Sequence, residues 1–369
     1  MKEGWIYKNL NEVCEKGSSS ITINKLGDCN GDYPLFGASG LVKCVDFYHQ
    51  DKPYIGIVKD GAGVGRVDIY PAYSSLVGTM QYIFAKEECL LDYLKYFLVK
   101  LDLSHCVSGA TIPHIYFKDY GKEKIPVPSI GIQQDIVSEL NKINELIALK
   151  KSQLNDFDYL IQSIFYEMFG DPVENSKGWE VNPLGTIADF KNGINFSKGE
   201  SGNCYKFLGV SDFQDNKTVS SSSLGDIHLT EDLSDDYMLK TGDIVFVRSN
   251  GSKELVGRNI LMLVDEPTTF SGFCIRCRLT DKDFNSVYLS CLLKASSMRP
   301  IITNSGRGCN ISNLNQKILS ALPIIHPSLD LQDSFALYVS AIENQKSQLK
   351  SIILDLETLL AARLQYWFN

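Results

Sequence analysis

Residues 136–168 read IVSELNKINELIALKKSQLNDFDYLIQSIFYEM, and apolar side chains recur through them in alternating steps of four and three. The row runs Ile136, Leu140, Ile143, Ile147, is interrupted by Lys150, and resumes with Leu154, Phe157, Ile161, Ile164 and Met168. This spacing predicts one continuous helix with a narrow heptad seam. The same register returns without a gap through Phe335, Val339, Ile342, Lys346, Leu349, Ile353, Leu356, Leu360, Arg363 and Trp367. Each seam carries a lysine near its middle. Pro128 and Pro327 stand ahead of the helices as start signals, and Gly170-Asp171-Pro172 stops the first. An amphipathic helix ordinarily packs on its own domain's core, but length argues against that here. A helix of about 38 residues runs about 57 Å, which exceeds the diameter of a globular half of about 155 residues. The two helices are therefore expected to pair, antiparallel, because a duplicated unit joined head to tail closes most simply around a pseudo-twofold axis.

Working outward from the helices, the rest of the chain is also written twice. GWIYKNLNEVCEKG at Gly4 meets GWEVNPLGTIADFKNG at Gly178, with Trp5 matching Trp179 and Leu10 matching Leu184. IVKDGAGVGRV, residues 57–67, meets DIVFVRSNGSKELVGRNIL, residues 243–261, with Gly65-Arg66 answered by Gly257-Arg258. SGATIPHIYFKD from Ser108 meets SGRGCNISNLNQ from Ser305, and IPVPS and LPIIHPS each close a globular segment just before a long helix.

The glycine cluster invites a nucleotide-binding reading, which its context does not support. A phosphate loop needs Lys and Ser or Thr directly after its glycines and then a helix N-terminus. Here VDIYPAYSSLV follows Arg66 and reads as a strand, and the glycines are spaced GxGxG rather than GxGxxG. A strand, turn, strand hairpin is expected. With 369 residues the chain has room for two cores. It shows no apolar run of about 20 residues and no apolar leader in MKEGWIYKNLNEVCEKG, so no membrane association is expected and the cytoplasm is the default location. Its ten cysteines are dispersed and expected to be thiols. Cys274 and Cys277 form a CxxC, but it lies in the strand-like FCIRCRL with no second pair at zinc spacing, so no metal site is expected. The net charge of −8 argues against coating nucleic acid through bulk positive potential. It divides into about −1 for residues 1–129, −3 for 130–170, −2 for 171–328 and −2 for 329–369, leaving the globular halves near neutral.

Several of these stretches resemble one family, the specificity subunits of type I restriction-modification systems. The likeness covers the whole chain. It is carried by KDGAGVGRV with GTMQYIF after it, ATIPHIYFKDYGKEKIPVPSIGIQQDIV, QSIFYEMFGDP and GWEVNPLGTIADFKNG. The second copy of the helix entry, LPIIHPSLDLQD, keeps Gln332 but has Asp333 where the first copy has Gln134. The resemblance implies an α+β fold of two duplicated α/β target recognition domains separated by two long antiparallel helices in a pseudo-twofold coiled coil. The domains would be residues 1–129 and 171–328, with helices at 130–170 and 329–369. It further implies a non-catalytic subunit whose two domains each read one half of a split site in double-stranded DNA. The helices would set the spacing and dock two methyltransferase (modification) subunits, to which restriction (motor-nuclease) subunits are added. Adenine methylation and ATP-dependent cleavage would belong to those partners, and no cofactor is expected here. Consistently, the chain lacks an Asn-Pro-Pro-Tyr or Asp-Pro-Pro-Tyr box, a Walker A motif and an Asp-Glu-rich nuclease signature. A rival reading is an assembly scaffold that binds no DNA.

If DNA is read, loops must do it, since they bring side chains and backbone to a groove. In the first half the candidates are Lys43, Lys59 and Arg66 around the glycine hairpin, with Thr111 and His114 in the following loop. In the second they are Arg248, Asn250, Lys253 and Arg258, with Arg307 and Asn310. Each has a plainer reading: Lys43 and Lys59 as solvated lysines, Arg66 and Arg258 as turn caps or partners of Asp60 and Glu254, His114 as a core residue, Thr111 as a helix cap. Arg307 and Asn310 fit base reading best, because Arg and Asn bond guanine and adenine edges bidentately.

Overall fold

The computed structural model describes residues 4–27, 30–109, 112–195, 202–213, 217–230, 232–252, 254–304 and 313–369. They divide into two compact units, one of residues 1–152 with 350–369 and the other of residues 153–349.

In the first unit the chain forms β1 (Ile6–Asn9), α1 (Leu10–Val13), β2 (Cys14–Ser18), β3 (Tyr33–Gly37), β4 (Gly40–Val45), β5 (Tyr54–Val58), β6 (Val67–Tyr70), β7 (Ser75–Leu76) and β8 (Met80–Ala85). Then come α2 (Leu91–Leu101), α3 (Phe117–Tyr120), β9 (Lys124–Val127) and the start of α4 (Ile130–Phe169). Among the described residues the sheets have the orders β2-β8-β5-β6, β4-β3-β7 and β1-β9. The run YIGIV of β5 is buried throughout because it lies between two cores. Ile55 and Ile57 face one core with α2 and α4, while Tyr54 and Val58 face another with the three-stranded sheet. Gly56 is required on that second face, since a Cβ there would fall 2.5 Å from the Tyr70 ring.

The second unit repeats this plan. Its elements are β10 (Glu180–Pro183), α5 (Leu184–Ile187), β11 (Ala188–Asn192), β12 (Asn203–Leu208), β13 (Thr218–Ser220), β14 (Gly225–Leu229), β15 (Ile244–Val247), β16 (Asn259–Leu263), β17 (Thr268–Phe270) and β18 (Cys274–Leu279). They are followed by α6 (Ser286–Leu292), α7 (Met298–Asn304), α8 (Gln316–Ser320), β19 (Pro323–His326) and α9 (Leu329–Phe368). The sheet orders are β11-β18-β15-β16-β13, β14-β12-β17 and β10-β19, so β13 is an addition to an otherwise matching set. On β15, Ile244 and Phe246 face the helical core and Val245 and Val247 the sheet core, as on β5. Cys274 and Cys277 lie on β18, fully buried, and burial pushes the Cys274 thiol up to about 12 and the Cys277 thiol higher than usual.

The long helices form as their periodicity predicts, and both contribute to both units. The first unit holds α4 residues 130–152 and α9 residues 350–368; the second holds the remainder of each. Ile136 and Leu140 share the first unit's helical core with Leu364 and Phe368, and Phe368 packs on the rings of Tyr93 and Phe97 at 5.0 and 5.8 Å. In the second unit Phe335 shares its core with Phe165 and Phe169, its ring 5.7 and 5.4 Å from theirs. Trp5 stacks on Trp367, and Trp179 Nε1 donates to the Phe169 carbonyl at 2.9 Å, so each matched tryptophan covers the C-terminal end of a long helix. Toward those ends the most buried row departs from the heptad seam. Phe165 and Phe169 are buried more deeply than Ile164 and Met168, and Leu364 and Phe368 more than Leu360, Arg363 and Trp367. A helix of 3.6 residues per turn drifts against a strict 3.5 repeat, and the helix ends pack against globular cores rather than along a seam.

The Gln of each helix entry is a structural pin. Gln133, fully buried, donates to the carbonyls of Glu88 and Pro128 and accepts from the Leu90 amide, each at 2.9 Å. Gln332 makes the matching set with the Asp283 and Pro327 carbonyls and the Asn285 amide. Asp333, where the copies differ, accepts from Asn285 Nδ2 at 2.8 Å, and Asn285 in turn caps α6. Tyr93 and Tyr288 complete the pattern by donating to the carbonyls of Pro126 and Ile325.

Candidate nucleic-acid interface

Residues 59–66 connect β5 to β6 as a tight loop in which Gly61, Gly63 and Gly65 all have positive φ, near +87°. A side chain at these positions would be strained, which is why glycines recur there. The hairpin closes through Gly65 N–H to the Val58 carbonyl at 2.8 Å and Val58 N–H to the Arg66 carbonyl at 3.0 Å. The loop between β15 and β16 closes the same way, with Gly257 N–H on the Val247 carbonyl and Val247 N–H on the Arg258 carbonyl, both at 2.9 Å. Gly65-Arg66 and Gly257-Arg258 are thus equivalent in structure as well as in sequence.

A second segment is stitched onto each hairpin. Ile115 N–H donates to the Lys59 carbonyl at 2.9 Å, and Leu314 N–H donates to the Arg248 carbonyl at 2.8 Å. That register makes Lys59 the counterpart of Arg248 and His114 the counterpart of Asn313. Bridges Asp60 to His114 and Ser249 to Asn313 repeat the correspondence. Asn313 is a candidate residue absent from the sequence-based set, because aligning Ser108 with Ser305 sets this segment two positions out of step. The only signal that could have found it was the matching of the apolar Ile115 with Leu314.

The candidate side chains take these positions. Lys59 lies 3.8 Å from Asp60, and Asp60 Oδ1 is 2.8 Å from His114 Nδ1, so three titratable groups share one half-exposed cluster. His114 stacks on Tyr116, over which Lys118 places its ammonium, adding an exposed aromatic and a cation to this face. Arg66 folds over Gly63 and donates to the Ala38 carbonyl at 2.8 Å. Lys43, on β4, donates to the Gly27 carbonyl at 3.1 Å. In the second unit Arg248 reaches the Gly272 carbonyl at 3.4 Å, beside the exposed Phe273. Asn250 accepts from the Ser252 amide at 2.7 Å, an Asx turn that shapes the loop. Arg258 donates to the Glu254 carbonyl at 3.2 Å, which ties the turn as its plainer reading anticipated. Thr111, Lys253, Arg307 and Asn310 lie outside the described residues.

Each unit therefore presents a short loop with a cation at its first position, Lys59 or Arg248, fixed by a second polar segment. Several backbone amides and carbonyls of each loop are engaged in that stitching, and the side chains named above project from it. Among the described residues no group of His, Cys, Asp and Glu could hold a metal ion, and no helix is long and apolar enough to cross a membrane.

Residues 2–156 and 176–357 match the family model described as the type I restriction modification DNA specificity domain. The chain is 24% identical over 285 residues to the type I restriction enzyme StySPI specificity subunit of Salmonella potsdam, covering 71% of this chain and 61% of that protein. The match thus spans less than two thirds of that relative's length. Against the EcoKI specificity subunit of Escherichia coli K12 it is 22% identical over 347 residues, 82% of this chain and 74% of the relative. Against the MjaVIII specificity subunit of Methanocaldococcus jannaschii it is 23% identical over 304 residues, 77% and 71% of the two chains. The crystal structure of a type I restriction-modification S subunit from M. genitalium superposes with a TM-score of 0.57 at 16% identity, over 100% of this chain and 98% of that one. A chain from a structural study of type I complex assembly and conformational transition gives the same TM-score and identity over 99% and 97%. At that identity the likeness speaks for the fold. With the family model matched across most of its length in two segments, the chain belongs to the type I restriction-modification DNA specificity family.

Proposed function

We propose that this protein is the non-catalytic subunit that reads DNA sequence for a type I restriction-modification complex. Each globular half reads one part of a bipartite site, and α4 and α9 form an antiparallel coiled coil that sets the spacing between the parts. The helix pair also docks two methyltransferase subunits, with restriction subunits joining them, and adenine methylation and ATP-dependent cleavage take place in those partners. The observation that carries the reading is the repeated hairpin, closed and stitched by the same hydrogen bonds in both halves, with a cation at the same position. A device built twice suits a target read in two parts. The helix pairing is supported by side-chain pairs that ascend along one helix and descend along the other. They are Glu139 with Arg363 and Lys151 with Glu357 in the first unit, and Asp158 with Lys346 and Phe165 with Phe335 in the second.

Lys59, Arg66, His114, Arg248, Asn250 and Arg258 are proposed as DNA contacts, together with Lys43, Thr111, Lys253, Arg307 and Asn310. Methylome sequencing of the host with and without this chain tests the function. A split, asymmetric adenine-methylated motif should disappear with the chain, and a motif that persists would refute the proposal.

A further inference from the structure

A cleft opens in the second unit between α4 and the β15–β16 hairpin, and its wall is unusually rich in cations. Lys217, Arg258, Lys294 and Arg299 line it, against Asp158 and Glu254. Asp158 is already neutralised, by Lys217 at 2.9 Å and Lys346 at 2.8 Å. Lys294 and Arg299 are differently placed, for among the described residues they meet only neutral oxygens. Lys294 Nζ donates to the Ser290 hydroxyl at 2.5 Å and the Lys217 carbonyl at 3.1 Å. Arg299 Nη2 donates to the Glu254 carbonyl at 2.7 Å, the same oxygen that receives Arg258 Nε at 3.2 Å. Two guanidinium groups thus share one uncharged carbonyl oxygen in the same cleft as the Lys294 ammonium. Burial pushes the Lys294 ammonium down to about 8, and burial and then Arg258 push Arg299 below its ordinary range.

Asn259 adds an independent sign. It follows Arg258, lines the cleft and is 6% exposed, and its Oδ1 has no hydrogen-bond partner among the described residues. Buried polar atoms are ordinarily satisfied, so an orphaned acceptor in a cationic cleft points to an absent donor.

We propose that this cleft is a phosphoryl-binding site, in which Lys294 and Arg299 hold the anionic oxygens and Asn259 Oδ1 accepts from an N–H or O–H of the group that carries them. Two sources share this chemistry, a backbone phosphate of DNA and a free phosphorylated small molecule. The site draws on no assumption that the hairpins read bases, so it can fail or survive separately from the proposed function.

The test uses the full chain and inorganic pyrophosphate as probe, titrated calorimetrically at fixed ionic strength. Wild type should bind saturably, and Lys294→Met and Arg299→Gln should each weaken binding by about tenfold or more, as loss of a charge-assisted hydrogen bond implies. Arg299→Lys should recover part of the loss, and Lys282→Ala, exposed and outside the cleft, should change nothing. A second arm measures a labelled duplex under the same conditions. If pyrophosphate displaces the duplex and the variants weaken both, the source is the DNA backbone; if only pyrophosphate binding weakens, it is a free ligand. Should Lys294→Met fail to fold, Arg299→Gln carries the test. Pyrophosphate binding unchanged in the variants, or no saturable pyrophosphate binding by wild type, overturns the proposal.

Discussion

At the scale of single residues, the clearest case is Gln332, because its three hydrogen bonds are all to backbone and all buried or part-buried. Gln332→Ala would leave the Asn285 amide and two carbonyls unpaired, at a cost of about 3 kcal/mol, measurable as a lowered urea midpoint with unchanged slope. An unchanged midpoint would mean that water replaces the amide without loss. The Gln was legible in the sequence as a shared letter of two helix entries, but its role was not, since two of the three partners of Gln332 lie 47 and 49 positions away. The proposed DNA contacts differ in the same way. Lys59 and Arg248 were identified from the glycine hairpin because that turn is local. Asn313 was missed because its place is set by a hydrogen bond to a residue more than sixty positions earlier, which no local pattern encodes. For DNA contacts the two kinds of role give different signatures. Arg307→Ala, if Arg307 reads a base, should cost about 1 to 3 kcal/mol at one base pair only, whereas Lys59→Ala, if Lys59 contacts a phosphate, should weaken all sequences alike and lower the salt slope by about one. Competition binding over singly mutated sites separates them, and a uniform loss from Arg307→Ala would refute its assignment.

At the scale of elements, the long helices were the most legible feature, because a heptad repeated over so many turns has few competing explanations. Strand pairings such as β1 with β9 and the added β13 were not, since they join residues far apart in sequence. The lysine in the second seam shows what the pattern could not price. Lys346 is 8% exposed yet remains paired, to Asp158 and Glu343 at 2.8 Å each. Burial alone would push the Asp158 carboxyl up, but hydrogen bonds from Lys346 and Lys217 outweigh it and hold the carboxyl below the usual carboxylate range. A depressed folded-state value means that this contribution is complete above the unfolded value near ~3.9 and is lost as pH falls through the folded value. Lys346→Met exchanges a half-screened ion pair for apolar burial, so stability at pH 7 should move by no more than about 1 kcal/mol. Between pH 7 and pH 3 the wild type should lose more stability than the variant, because only the wild type has the Lys346 pairs to lose. Parallel losses in urea denaturation at the two pH values would show that the seam lysine is not coupled to Asp158.

At the scale of the whole molecule, the division of the helices has a consequence that neither half suggests alone: the last turns of the chain belong to the core of its first 152 residues. Phe368 is 4% exposed there, against Tyr93 and Phe97. Around it, Arg363 Nη2 and Trp367 Nε1 donate to Glu139 at 2.9 and 3.1 Å, and Trp367 stacks on Trp5. Of these contacts the apolar one dominates. The Arg363 pair is about one third exposed and screened by solvent, so it is worth well under the 3 to 5 kcal/mol typical of emptying a buried phenylalanine site. Phe368→Ala should therefore destabilise the first unit by about 3 kcal/mol although the substitution lies at the opposite end of the chain. The loss should also be local. Amide hydrogen exchange should quicken in α2 and in the first turns of α4, which line that site, while β15 and α6, whose core lies in the second unit, should keep their protection. Phe335→Ala is the mirror experiment, since Phe335 fills the second unit's core beside Tyr288. It should loosen α6 and spare α2. If instead each substitution loosened both units equally, the cores could not be the independent bodies that their contacts describe, and the helices would have to transmit the loss along their length.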